Sequence, residues 1–264
     1  MNIVVCVKYV PDATADPRFK SDNTVDRVGV DGLLSELDEY AVEQALQIKE
    51  KSENPAETKV TALCVGPEKA LDAIRKALQM GADEGVHVTD EAIAGSDAIA
   101  TSLVLAKAIE KVGSVDLVMC GMASTDAGMS VVPAMLAERL GLPQVTFASV
   151  VETQGDQVRV KRDGDSATEV IGATLPLVLS VTDQTGEARY PSFKGIMAAK
   201  KKPLEIYSLS DLGVDAGDVG LSVAWSEVAD TTARPPRTAG EIVKDEDGSG
   251  ARALTEFLAA KKFI

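Results

Sequence analysis

The stretch CGMASTDAGMS, residues 120–130, carries residue types that hold a ligand rather than break a bond. Gly121 and Gly128 let backbone approach a ligand closely, and Ser124, Thr125, Asp126 and Ser130 supply hydroxyls and a carboxylate. The loop joins the apolar run VDLVMCG to the helix-patterned MSVVPAMLAERLG. The N–H groups that open that helix would therefore face the loop with partial positive charge, a disposition suited to phosphate. The chemistry this suggests is capture of a nucleotide or another phosphorylated ligand, although an ordinary capped strand-to-helix connection has the same composition. The spacing is neither GxGxxG nor GxxxxGK[ST], so it carries neither a dinucleotide fingerprint nor a Walker loop.

A second stretch, RYPSFKGIMAAKKK at residues 189–202, places five cations and no acid in a chain of net charge −14. Pro191 and Gly195 bound a turn around Phe193, and Ile196-Met197-Ala198-Ala199 suits a helical turn leading into Lys200, Lys201 and Lys202. An exposed aromatic ringed by cations has the anatomy of a docking hot spot for an acidic partner. The alternative is a lysine-rich solvated loop whose Phe193 packs back on its own sheet.

Bond-making chemistry has no comparable signal. No GxSxG, HExxH or CxxC occurs. His87, the single histidine, lies between Val86 and Val88 in a strand pattern, the setting of a structural histidine. Cys6, Cys64 and Cys120 stand far apart in apolar surroundings and form no zinc or iron-sulfur ligand set; they read as reduced core residues. The acids of KDEDG, 244–248, read as solvated surface.

These loops need a scaffold, and the first 150 residues describe one. NIVVCVKYV, KVTALCVG, GVHVT and VDLVMCG are strand-like, and helical patterns separate them: LDEYAVEQALQIKEKS, PEKALDAIRKALQMG and SDAIATSLVLAKAIEKVG, with Ser96 expected as the cap of the last. Alternating strands and helices predict βαβ units, hence an α/β fold with a doubly wound, mostly parallel sheet that binds ligands at its strand carboxyl ends. From residue 144 short strands separated by Gln154-Gly155-Asp156 and Asp163-Gly164-Asp165 predict added hairpins. Beyond about 208 the chain turns polar and Gly-rich before a final amphipathic ALTEFLAAKKFI. The expected organisation is a ligand-binding domain over 1–207 and an arm over 208–264 that lies on a partner.

With 264 residues and 45% hydrophobic content the chain can bury a full core. Its 41 acids against 27 Lys and Arg exclude nucleic acid as a general ligand, because only one short tract is basic. No apolar run approaches the roughly 18 residues of a spanning helix, and MNIVVCVKYVPD runs straight into a strand without a charged leader, so the expected location is cytoplasmic.

Across nearly its whole length the chain resembles the β subunit of electron transfer flavoprotein. The segments that carry the resemblance are VVCVKYVPD, DEYAVEQALQIKE, VGPEKALDAIRKALQMGAD, GMASTDAG, EVIGATLPLVLSVTDQTGEARYPSFKGIMAAKKK and the later RTAG. Glu169, Ile171, Pro176, Val178, Leu179 and Ser180 match the tail of the family signature, and Val160, Arg162 and Asp165 its front; Ser166 and Ala167 depart from it.

The resemblance implies a Rossmann-like sheet of the adenine nucleotide alpha-hydrolase-like kind and a heterodimer in which an α subunit carries the redox FAD. It implies AMP in this chain, held by Cys6, Ser35, Glu36, Leu37, Asp38, Val65 and the run Gly121, Met122, Ala123, Ser124, Thr125, Asp126, Ala127, Gly128, Met129, Ser130, Val131 and Val132. It further implies docking of acyl-CoA and related dehydrogenases through Arg189, Phe193, Lys194, Ile196, Met197, Lys200, Lys201 and Lys202, with Asp163 facing the flavin domain. Electrons would pass to a membrane quinone oxidoreductase, and the chain itself would be a carrier subunit, not an enzyme. Ala13 and Leu37 stand where the family can have aromatics near the flavin. The rival readings are a bifurcating relative with FAD in the AMP crevice, which would be an enzyme, and a stand-alone adenine-nucleotide binding protein. Against the latter, the chain lacks an SGGxDS-type loop.

Overall fold

The computed structural model describes residues 1–12, 14, 18–232, 235, 240, 242–245 and 247–264, in two units, Met1–Ala229 and Asp230–Ile264. In chain order the first unit contains β1 (Asn2–Cys6), β2 (Tyr9–Pro11), β3 (Gly32–Leu34), α1 (Glu36–Lys51), β4 (Lys59–Val65), α2 (Leu71–Met80), β5 (Glu84–Val88), α3 (Ala98–Val112), β6 (Leu117–Gly121) and α4 (Val132–Leu140). There follow β7 (Gln144–Gln154), β8 (Gln157–Asp163), β9 (Thr168–Thr174), β10 (Leu177–Val181), α5 (Phe193–Ala199) and β11 (Leu204–Tyr207).

Nine strands form one sheet in the order β11-β5-β4-β1-β6-β10-β7-β8-β9, parallel from β11 to β7 and antiparallel through the β7-β8-β9 hairpins. The central strands NIVVC, KVTALCV, LVMCG and LVLSV are apolar runs because both of their faces are covered. On one face Ile3, Val5, Leu117, Met119 and Leu179 pack with Ala41, Val42 and Ala45 of α1 and Ile74 and Ala77 of α2. On the other, Val4, Leu63, Val118 and Val178 pack with Val104 and Ile109 of α3 and Leu136 of α4. Consecutive residues of one strand thus feed two separate cores, the doubly wound arrangement expected.

The topology decides where a ligand can sit. From β1 the chain builds outward through β4 to β5, then crosses to β6 on the other side of β1. The connections diverge between β1 and β6, which opens a crevice beyond the carboxyl ends of these two strands.

Two local expectations change. Asp97, not Ser96, caps α3, its carboxylate accepting the Ala100 N–H at 3.0 Å. The Ser96 hydroxyl instead accepts the Gly220 N–H at 2.8 Å. The compact unit also runs past residue 207, because Leu209, Leu212, Val214 and Val219 are buried in the second core among short 3₁₀ turns. Four apolar side chains spread over eleven polar and Gly-rich residues leave no periodicity to read. The second unit contains α6 (Gly250–Ala260), which buries none of its residues and leaves Leu254 and Phe257 exposed.

Candidate functional site

At the crevice the backbone of β1 continues through Val7, whose N–H donates to the Leu63 carbonyl, to Lys8, whose carbonyl accepts the Ser35 N–H. That bond seats the start of α1 against the end of β1. Asp38, in the first turn of α1, is buried and accepts the Lys8 N–H at 2.8 Å. Burial pushes the Asp38 carboxyl up to about 7, even though N–H bonds from Lys8 and Gly121 and the Lys8 charge favour its ionised form. At the end of β6 only glycine fits: a Cβ at Gly121 would lie 2.6 Å from Asp38 Oδ1 and 2.7 Å from the Leu37 carbonyl oxygen. The Ser35 hydroxyl is buried with no hydrogen-bond partner among the described residues.

Past Gly121 the loop folds over Asp126. This side chain is 4% exposed and pairs with Lys8 Nζ at 2.8 Å and with the Arg27 guanidinium. Burial opposes its ionisation, but the Lys8 and Arg27 charges outweigh burial and hold the carboxyl well below the usual carboxylate range. Asp126 also accepts the N–H of Ala127 at 2.8 Å, and Lys8 Nζ reaches Ser124 Oγ at 3.3 Å. Gly128 and Ser130 take left-handed backbone, turning the chain into α4, which opens at Val132 with a proline in its first turn and no side-chain cap.

The structure therefore brings Cys6, Ser35, Leu37, Asp38 and Gly121 to one place and hangs the 122–131 loop over it, with Val65 at the end of the neighbouring strand and Glu36 exposed. Thr125, Ala127, Gly128 and Met129 are open to solvent. Sequence reasoning does not reach Lys8 and Arg27. Lys8 sits in the apolar run NIVVCVKYV, and Arg27 lies in a polar loop with no periodicity, so neither announces a carboxylate 118 or 99 residues away.

Burial pushes Cys64 up to about 12; a bond from Cys6, together with burial, pushes Cys120 well above the usual thiol range. His87 Nε2 lies 3.2 Å from the Gly66 carbonyl oxygen, and burial disfavours its charged form, in keeping with a structural histidine. Among the described residues no group of acids, His and Cys could hold a metal ion, and no helix is long and apolar enough to cross a membrane. Asp245 accepts the Gly250 N–H and Asp247 accepts bonds from Ser249; Glu246, Ala13 and most of RTAG lie outside the described residues.

The basic stretch resolves into two classes of residue. Arg189 is spent internally: its guanidinium forks onto Glu43 and Glu50 of α1, with Nε 2.6 Å from Glu43 Oε2. Hydrogen bonds to Glu50 and Glu43 outweigh burial and raise the Arg189 pKa further. Lys202 Nζ donates to the Leu78 and Ala82 carbonyls at 2.9 and 2.5 Å, closing the end of α2. Between these anchors Ser192 caps α5 through the Gly195 N–H, and Gly195 lies against the Gln79 carbonyl, which a Cβ would meet at 2.4 Å. Held in this way, Phe193 is 82% exposed, so it does not pack back on the sheet. Tyr190 beside it is 90% exposed, and Ile196, Met197, Lys194, Lys200 and Lys201 are exposed too. Asp163 stands at the exposed end of β8, accepting a bond from Thr168 at 2.6 Å; bonds from Ser149 and Thr168 hold its carboxyl below the usual range.

The profile of the family described as "Electron transfer flavoprotein domain" matches residues 22–212. The "Electron transfer flavoprotein subunit beta" of Mycobacterium bovis is 45% identical over 265 residues, covering 100% of this chain and 99% of its own. That of Megasphaera elsdenii is 32% identical over the full length of both chains. The "Caffeyl-CoA reductase-Etf complex subunit CarD" of Acetobacterium woodii is 35% identical over 92% of each chain. A doubly wound sheet, a built crevice at its switch point and this end-to-end likeness converge: the chain belongs to the electron transfer flavoprotein family, as a β subunit.

Proposed function

We propose that this β subunit is the non-enzymatic half of a two-chain electron carrier. Its α partner holds the redox FAD, one AMP lies in the crevice between β1 and β6, and residues 189–202 dock acyl-CoA and related dehydrogenases before electrons pass to a membrane quinone oxidoreductase. The observation that carries this reading is the exposed pair Tyr190 and Phe193 on a segment fixed at both ends by Arg189 and Lys202. A solvated loop has no reason to hold two aromatics outward on an ordered base, whereas a docking anchor needs that pre-organisation.

The crevice residues fit an adenine nucleotide. Ser35 offers a buried hydroxyl without a partner, Gly121 leaves no side chain between β6 and α1, and the 122–131 loop leads into the N-terminus of α4. Asp38 and Ser35 would orient the nucleoside, and the loop and α4 would face its phosphate. FAD supplies the redox chemistry when the complex is loaded. The residues of this chain bind, position and dock, with Asp163 turned to the flavin domain and the dehydrogenase held while that domain moves.

The test is to purify the complex from its own host and quantify the nucleotides released by acid. One FAD and one AMP per pair of unlike subunits is the expected result. Two FAD would assign a bifurcating enzyme, and a lone chain releasing ATP or nothing would overturn the carrier reading.

A further inference from the structure

Lys8 and Arg27 converge from the end of β1 and from the 18–31 segment onto the carboxylate of Asp126, two cations on one acid, with the buried Asp38 carboxyl also close to Lys8. Their exposure shows which of these groups an incoming ligand can reach. Asp126 is 4% exposed, while the side chains of Lys8 and Arg27 are 38% and 26% exposed, so solvent reaches the cations far more than the acid that holds them. Arg27 is oriented further by a bond from Nη1 to the Tyr9 carbonyl at 3.2 Å, and Lys8 by Ser124. A guanidinium held at two points presents its remaining N–H groups in a fixed direction, the geometry that suits phosphate oxygens.

We propose that Lys8 and Arg27 form a phosphate clamp that recognises the 5′-phosphate of an adenylate in this crevice, with Asp126 holding both cations in position before the ligand arrives. This rests on the nucleotide reading given above and adds residues which that reading does not include. Arg27 belongs to the polar segment that joins β2 to β3, so the bound phosphate also ties that segment to the 122–131 loop.

The experiment compares AMP with adenosine, which lacks the phosphate, by calorimetry on the two-subunit complex stripped of nucleotide. The wild type and Arg27→Gln, Arg27→Lys and Lys8→Gln are measured. The wild type is expected to bind AMP more tightly than adenosine. Each Gln variant should lose affinity for AMP by about tenfold or more, the scale of one charged hydrogen bond, with adenosine binding unchanged. Arg27→Lys should recover part of the loss. Hydrogen exchange in residues 18–31 should slow with AMP and not with adenosine. A wild type that binds AMP with no preference over adenosine, or Gln variants that keep the full preference, would overturn the clamp while leaving the nucleotide reading standing. Failure of the wild type to bind either compound would overturn both.

Discussion

Asp38 is enclosed where β1, α1 and β6 meet, and its enclosure has a pH signature. Its folded pKa of about 7 lies above the ordinary value of 3.8, so between the two the folded state holds the extra proton. Stability is therefore fully present below the unfolded value and falls as pH rises toward 7. Asp38→Asn removes this titration. Between about pH 5 and pH 8 the wild type is expected to lose on the order of 3 kcal/mol more than the variant, read from denaturant midpoints. Equal losses would show that Asp38 is ionised throughout. The crevice glycines divide by the same local logic. Gly121→Ala drives a methyl group against Asp38 and Leu37 and should destabilise the chain by about 1–3 kcal/mol and reduce nucleotide retention. Gly128→Ala meets only open space and should cost about 1 kcal/mol for its left-handed backbone. At this scale Gly121, Gly128 and Asp126 could be picked out of the sequence as ligand-binding residue types, and Ser35 only through the family resemblance. The partners of Asp126 could not, because pairing across roughly a hundred residues leaves no local pattern.

Among the elements, the 189–202 segment separates residues left exposed from residues that hold the segment. Phe193→Ala should leave fold, heterodimer and flavin content intact and slow electron acceptance from a dehydrogenase by about tenfold or more at low concentrations, the usual cost of losing an aromatic anchor. An unchanged rate in stopped-flow flavin reduction would remove the docking role. Arg189→Ala should act differently. It removes both ion pairs to α1 and leaves Glu43, buried in the fold, without its cation, so thermal stability and docking should fall together. Raising ionic strength should slow docking of the wild type, because Lys194, Lys200 and Lys201 are exposed and their attraction is screened. Composition showed that this tract was unusual, but not which of its five cations were free. The acids that claim Arg189 lie on α1, and the carbonyls that claim Lys202 lie at the end of α2.

In the molecule as a whole, the two units differ in what holds them. The first has cores on both faces of a nine-stranded sheet; in the second, the α6 helix buries nothing and carries an apolar stripe through Leu254 and Phe257. Truncation after Ala229 should therefore leave the cooperative unfolding of the first unit within about 1 kcal/mol of the full chain. It should weaken association with the α subunit, measured by co-purification and dilution. A truncated chain that fails to fold would mean that the second unit completes the first. The sequence by itself determined the α/β class, the parallel order of strands and helices and the hairpins after residue 144, because these follow from periodicity and turn chemistry within short windows. It also carried the family, through motifs spread along the chain. Only the tertiary structure decided that β1 and β6 are neighbours at a switch point, that Leu209 to Val219 complete a core, that Asp126 holds Lys8 and Arg27, and that Phe193 faces outward. Each of these depends on contacts between residues distant in the chain, whose free energy belongs to the packed sheet and to no single segment.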